Sequence, residues 1–169
     1  ILLKAMPIGI NSWEIHSLTN KLCLVKGNLF GNKYTITMIH ENKYFKSIIV
    51  KYTGLYNGSG PRAFEIFTNP RGEKYEKKHL NIKNNEYIKL VNKEPVYNSE
   101  SNSYVLNFNG RVTLPSIKNF QIIHPSNVHE TTITFGKIND NEYVLDYSYP
   151  WNNLEALSIS LTSLGFKFV

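Results

Sequence analysis

The segment Tyr149–Val169, YPWNNLEALSISLTSLGFKFV, decides the fold. Read as a helix from Asn152 to Leu164, it has no wet face. Leu154, Ala156, Leu157, Ile159, Leu161 and Leu164 point in nearly every direction, the remainder is mostly Ser and Thr, and Glu155 is the one charge. A surface helix sets an apolar stripe against a polar one. This helix must therefore be covered on all sides.

A bilayer does not fit. Residues 152–164 at about 1.5 Å per residue reach roughly 20 Å, whereas a membrane span needs about 20 apolar residues. No other stretch is apolar for long enough. The opening ILLKAMPIGI is too short and wrongly flanked for a signal peptide. The cover has to be protein. Burying six apolar side chains at about 1.5–3 kcal/mol each contributes on the order of 10 kcal/mol before entropy.

The 169 residues suffice for one domain with a sizeable core. Hydrophobic residues at 41% against charged residues at 19% exclude a disordered chain, and 13% aromatics favour β structure. The lone Cys23 cannot form an internal disulfide and points to a reducing compartment. The sequon Asn57-Gly58-Ser59 would matter only in a secreted protein. Charge is uneven. Residues 1–51 carry seven Lys and two Glu, residues 52–100 eight basic and six acidic side chains, and residues 101–169 four basic and five acidic, for +6 in all. A basic half on a near-neutral remainder suits a polyanion-binding face, and equally the solvated surface of a lysine-rich protein.

Upstream of the helix the pattern is strands and turns. KYTITMIH (33–40) alternates in period two. LCLVK ends at Gly27-Asn28 and leads into it, and YFKSIIVKY follows the polar loop 41–43. GSGPR marks a turn before AFEIF. The stretch 68–86, polar and basic, reads as a long loop. YIKLVN, YVLNF, RVTLP, NFQIIH, TTITFGKI and EYVLDY complete the set, and Asn109-Gly110 predicts a tight hairpin between YVLNF and RVTLP. Many short strands plus one apolar helix predict a mainly β (α+β) domain: a closed antiparallel β-barrel threaded by a central, buried C-terminal helix. No internal repeat or linker divides residues 1–169, which read as one domain.

The same residues carry a resemblance. YVLNFNGRVTLPSIKNFQIIHP (104–125) and FGKINDNEYVLDYSYPWNNLEALSISLTSLGFKF (135–168) resemble the carboxy-terminal domain of the tubby family. The family signature stands here as Phe108-Asn109-Gly110-Arg111-Val112-Thr113 and Ser116-Ile117-Lys118-Asn119-Phe120-Gln121. NLFGNKYTIT (28–37), GPR (60–62) and NKEPVYNSESNSYVLNF (92–108) fit too, so the likeness covers about residues 24–165. It implies a closed barrel around a central helix. The chain departs from the family at its amino end, where the first strands are shortened or missing. Pro115 replaces the usual Ala, and the family's last segment is absent.

Catalytic chemistry finds no foothold. His16, His40, His79, His124 and His129 are scattered, without metal-ligand spacing, and there is no phosphate loop, Ser elbow or Cys-His motif. No enzyme activity, metal or cofactor is expected. Arg111 and Lys118 are expected to pair with Asp146 or Glu142, or to cap strand ends. The resemblance implies binding of phosphatidylinositol 4,5-bisphosphate through a few basic residues, with an adaptor role at the cytosolic face of the plasma membrane, or in the nucleus. The family's first basic cluster falls on Leu24 and Lys26, so one of its two charges is lost; Lys21 lies close enough to compensate. Its third basic position, counted back from Lys51, falls on Lys43, with Lys46 beside it. Lys presents a point charge where the family has Arg's planar fork. The headgroup residues expected are thus Lys26, Lys43, Lys21 and Lys46, on a monomeric, peripheral membrane protein. The plain alternative is that these are solvated lysines. Nucleic acid is the competing partner, disfavoured because the only convincing helix is buried; a protein-interaction scaffold is the third reading.

Overall fold

In the computed structural model, residues 2–18, 20–41, 43–55, 61–68 and 87–165 are described. The expected long loop 68–86, apart from Thr68, and the sequon at 57–59 lie outside them. The C-terminal segment is the helix the sequence demands, α1 (Asn153–Leu164). Asn152 caps it: its Oδ1 accepts from the Glu155 backbone N–H at 2.9 Å, and the Glu155 carboxylate accepts from the Asn152 N–H at 3.3 Å. Ala156 and Ile159 are fully buried, and so is Ser158. The buried hydroxyls cost little because each turns back on the helix. Ser158 and Ser160 donate to carbonyls four residues earlier, Thr162 and Ser163 to carbonyls three earlier. Gly165 ends the helix where a Cβ would collide with the Tyr34 hydroxyl.

The strands are β1 (Lys4–Gly9), β2 (Ser12–Ser17), β3 (Asn20–Gly27), β4 (Lys33–His40), β5 (Lys43–Leu55), β6 (Arg62–Thr68), β7 (Ile88–Asn92), β8 (Val96–Asn98), β9 (Ser103–Val105), β10 (Phe120–His124), β11 (Asn127–Lys137) and β12 (Tyr143–Tyr147). Ten of them form one antiparallel sheet in the order β1-β2-β3-β4-β5-β6-β7-β10-β11-β12, while β8 and β9 make a separate hairpin. The β1–β2 hairpin forms the amino-terminal edge of the sheet. α1 touches β3 and β4 on one side and β12 on the other, so the sheet bends around it. Ile15, Val25, Ile36, Ile48, Val50, Ile66, Ile122 and Ile133 turn inward and are fully buried. Among the described residues β1 and β12 pair with no further strand, so the ladder is not closed by hydrogen bonds.

One predicted strand is not there. Asn109 and Gly110 both take positive φ (49° and 75°), as their dipeptide demands, and Arg111 N–H bonds back to the Phe108 carbonyl at 3.0 Å. RVTLP does not then return as a hairpin strand. Thr113 and Leu114 both donate to the Lys137 carbonyl, at 3.3 and 3.1 Å, and Pro115 has no N–H to extend a ladder. Val112 packs directly on Gly136, where a Cβ would overlap it. The signature residues 107–119 therefore form a loop laid across one end of the sheet.

Candidate anion-binding face

The outward side chains of β3, β4 and β5 are fixed by register. Lys26 stands opposite Thr35, and Lys33 stands directly opposite Lys51. Because strand faces alternate, Lys33, Thr35 and Lys26 share the outer face. Lys33 is one diagonal step from Lys26. All three lysines are exposed. Directly opposed residues hold their Cβ atoms about 5 Å apart, and like charges there repel. Glu65, directly opposite Lys51, is ion-paired to Lys89, and Glu14, one diagonal step from Lys26, is ion-paired to Lys21. Lys51 Nζ leans over the Phe67 ring, 5.0 Å from its centroid.

Beside this face are two apolar turn tips. Asn28 builds the β3–β4 turn: its Oδ1 accepts from the N–H groups of Asn32 (3.1 Å) and Lys33 (3.2 Å), with Gly31 at φ 65°. The turn presents Leu29 (66% exposed) and Phe30 (57%). Gly27 N–H donates to the Asn11 carbonyl at 2.8 Å, which ties on the β1–β2 turn and its exposed Ile10. The approach is so close that a Cβ on Gly27 would sit 2.5 Å from the Asn11 oxygen.

The structure separates the four lysines expected at one site. Lys26 lies in the cluster just described. Lys21 is ion-paired to Glu14 at 2.5 Å, and that contact, helped by His16 at 3.2 Å, holds the Glu14 carboxyl below its usual range. Lys46 is not a surface lysine: it points inward from β5 to Glu155 of α1, 2.6 Å away. Lys43 is exposed, but it pairs with His40, whereas Lys26 pairs with Thr35. Five residues of strand, roughly 17 Å, separate those partners, with a register irregularity between Met38 and Ile39 on the way. Lys26 and Lys43 are not neighbours. Lys33 and Lys51, which are, escaped the sequence reading. Only the strand register brings them together, although both follow the outward parity of their strands.

Arg111 pairs with Asp146 as expected, in a two-pronged contact at 2.7 Å on each arm that holds the Asp146 carboxyl below its usual range. Lys118 finds no carboxylate among the described residues and lines a cavity behind the signature loop. Among the described residues no group of three or more His, Cys, Asp or Glu could hold a metal, and no helix is long and apolar enough to cross a membrane.

The family model for the Tub family matches residues 32–166. Tubby-related protein 3 of Mus musculus is 32% identical over 171 residues, covering 85% of this chain and 37% of that protein. Protein king tubby of Drosophila sechellia is 29% identical over 164 residues, covering 85% and 37%. Tubby protein homolog 1 of Caenorhabditis elegans is 50% identical over 78 residues, which is 46% of this chain and 18% of that one. The chain thus spans less than two-fifths of the length of these curated relatives. With four-fifths of its length matched, including the signature loop and the buried helix, the chain belongs to the Tub family.

Proposed function

We propose that this domain is a non-enzymatic, monomeric adaptor module that binds phosphatidylinositol 4,5-bisphosphate at the cytosolic face of the plasma membrane. The observation that carries the reading is the outward lysine cluster Lys26, Lys33 and Lys51, with Lys33 and Lys51 forced into direct opposition. An anion between them relieves the repulsion, and phosphate oxygens accept charge-assisted hydrogen bonds from ammonium groups. Leu29, Phe30 and Ile10 stand at the same end of the sheet, where apolar tips can enter the interface of a bilayer held by those charges. Each Lys near an anionic leaflet contributes about 1 kcal/mol. Membership of the Tub family supports the same reading, and the family's barrel would further draw β1 and β12 together around α1.

Vesicle sedimentation tests it. Lys33→Thr/Lys51→Thr should weaken binding to vesicles containing the bisphosphorylated inositide by tenfold or more, against control vesicles of equal charge made with phosphatidylserine. Lys43→Gln/Lys137→Gln, which removes the same charge elsewhere, should change it little. Equal weakening by both pairs would leave only a diffuse basic surface, and tighter binding to a random duplex at matched salt would favour the nucleic-acid reading.

A further inference from the structure

A cavity of about 660 Å³ lies between the signature loop and strands β6, β7 and β10. Its floor is aromatic: Tyr52 meets Phe64 at 4.9 Å between ring centroids, and Phe64 meets Phe120 at 5.2 Å. Leu106, Phe108 and Leu114 add apolar wall from the loop. The size is that of a small-molecule site.

The polar groups of the wall fall into two sets. The neutral ones are occupied. Asn92 accepts from the Phe64 N–H and donates to the Arg62 carbonyl. Asn119 donates to the Leu114 carbonyl and accepts from the Lys137 N–H. Thr113 donates to the Ile138 carbonyl, Ser116 accepts from the Lys118 N–H, and Ser163 donates to the Ser160 carbonyl. The charged ones are Arg62, Lys93 and Lys118, all half-buried. Among the described residues none of these side chains has an ion-pair or hydrogen-bond partner, and no carboxylate lines the cavity. All three line one cavity because the segments that carry them adjoin. Asn92 clamps Arg62 beside the end of β7, and Lys93 N–H bonds to the Gln121 carbonyl of β10, just past Lys118.

Three cations on an apolar, aromatic pocket with every neutral partner taken leave one kind of complement. We infer that this cavity is a second binding site, distinct from the lysine face of β3–β5, for an amphiphilic anion: an apolar chain or ring system bearing one carboxylate or phosphate. The head lies among Arg62, Lys93 and Lys118, and the body over Phe64 and Phe120. Arg62 supplies the planar fork, the two lysines point charges.

The test is calorimetric titration of the 169-residue chain with dodecyl phosphate below its micelle concentration, with dodecyl maltoside for the tail alone and inorganic phosphate for the head alone. Dodecyl phosphate should bind at least tenfold more tightly than either. Arg62→Gln/Lys118→Gln should lose tenfold or more for dodecyl phosphate and keep the weaker dodecyl maltoside binding, whereas Lys33→Thr/Lys51→Thr should bind dodecyl phosphate as the parent does. Should the first variant fail to fold, Lys93→Gln/Lys118→Gln carries the same expectation. No binding of dodecyl phosphate, equal affinity for the neutral detergent, or indifference to the cavity substitutions overturns the assignment. Loss of dodecyl phosphate binding in Lys33→Thr/Lys51→Thr alone would place it on the lysine face instead. A vesicle arm with lysophosphatidate separates a membrane source of the ligand from a dissolved one: binding only to vesicles marks the former, and equal binding to the monomer the latter.

Discussion

Lys46 of β5 and Glu155 of α1 form an ion pair of 2.6 Å with side-chain exposures of only 11% and 5%. The sole charge of the helix meets the sole lysine that β5 turns inward among its described side chains. Glu155 also completes the helix cap, so one carboxylate both starts α1 and moors it to the sheet.

Removing one partner strands a buried charge. Lys46→Met should cost about 3–5 kcal/mol. Lys46→Met/Glu155→Gln should recover most of that, because the amide of Gln still reaches the Asn152 N–H. Urea unfolding of the two variants and the parent measures the difference. Equal losses in the single and double variants would mean the pair is not coupled.

The centre of the helix should be equally intolerant. Ile159 is fully buried. Ile159→Ala should lose about 2–5 kcal/mol through the cavity it leaves, and Ile159→Asp should abolish cooperative folding, since an unpaired buried charge rivals the whole stability of a domain. A soluble Ile159→Asp protein with a sharp thermal transition would contradict the buried helix.

These two residues also show what was legible in the sequence. The burial of α1 could be read from the absence of a polar face. The Asn109-Gly110 turn could be read from the φ values it needs, but the chain beyond it could not: Val112 packs on Gly136, a contact 24 residues away in sequence that no local pattern encodes. Lys46 turns inward instead of joining the surface lysines, and its strand holds the signal. It shares the parity of the buried Ile48 and Val50, and a helix buried with one carboxylate requires a cation inside. Lys33 and Lys51 were invisible for a different reason. Their opposition depends on a β4–β5 register that includes an irregularity between Met38 and Ile39.

At the surface, Arg111 governs the titration of Asp146. Its hydrogen bonds hold that carboxyl below the ordinary range. In Arg111→Gln the Asp146 midpoint should rise toward the value of a solvated aspartate, as read by carboxyl carbon NMR across the acid range, with the rest of the spectrum unchanged. A midpoint that stays low would assign the depression to other groups.

Alkaline pH should destabilise the fold well before it affects arginine. Burial pushes the Cys23 thiol up to about 11 and the Tyr34 phenol up to about 12; the Tyr52 phenol, buried against Thr162, is raised as well. In the unfolded chain these groups ionise near 9.0 and 10.0. Between those values and the raised ones the native state keeps protons the unfolded chain has lost. Stability is then complete below about pH 9 and falls as pH rises through the next two or three units. Urea midpoints at about pH 8 and about pH 10.5 should differ measurably, and Cys23 should react with a thiol reagent only as fast as the domain opens. A midpoint independent of pH over that range would sink the claim.

α1 follows the twelve strands of the described residues in the chain, yet it packs on the inner face of the sheet they build. During synthesis on the ribosome the sheet's inner face is complete before the helix that covers it has been made. The strands pair mostly with their sequence neighbours, so their ladders can assemble as they emerge, but with that inner face still bare. A chain stalled or cut short before Trp151 would present Ile36, Ile48, Val50, Ile66 and Ile133 to solvent without the helix that covers them, a surface suited to chaperones and to aggregation. Loss of the turns of α1 should therefore be as damaging as loss of a strand from the middle of the sheet.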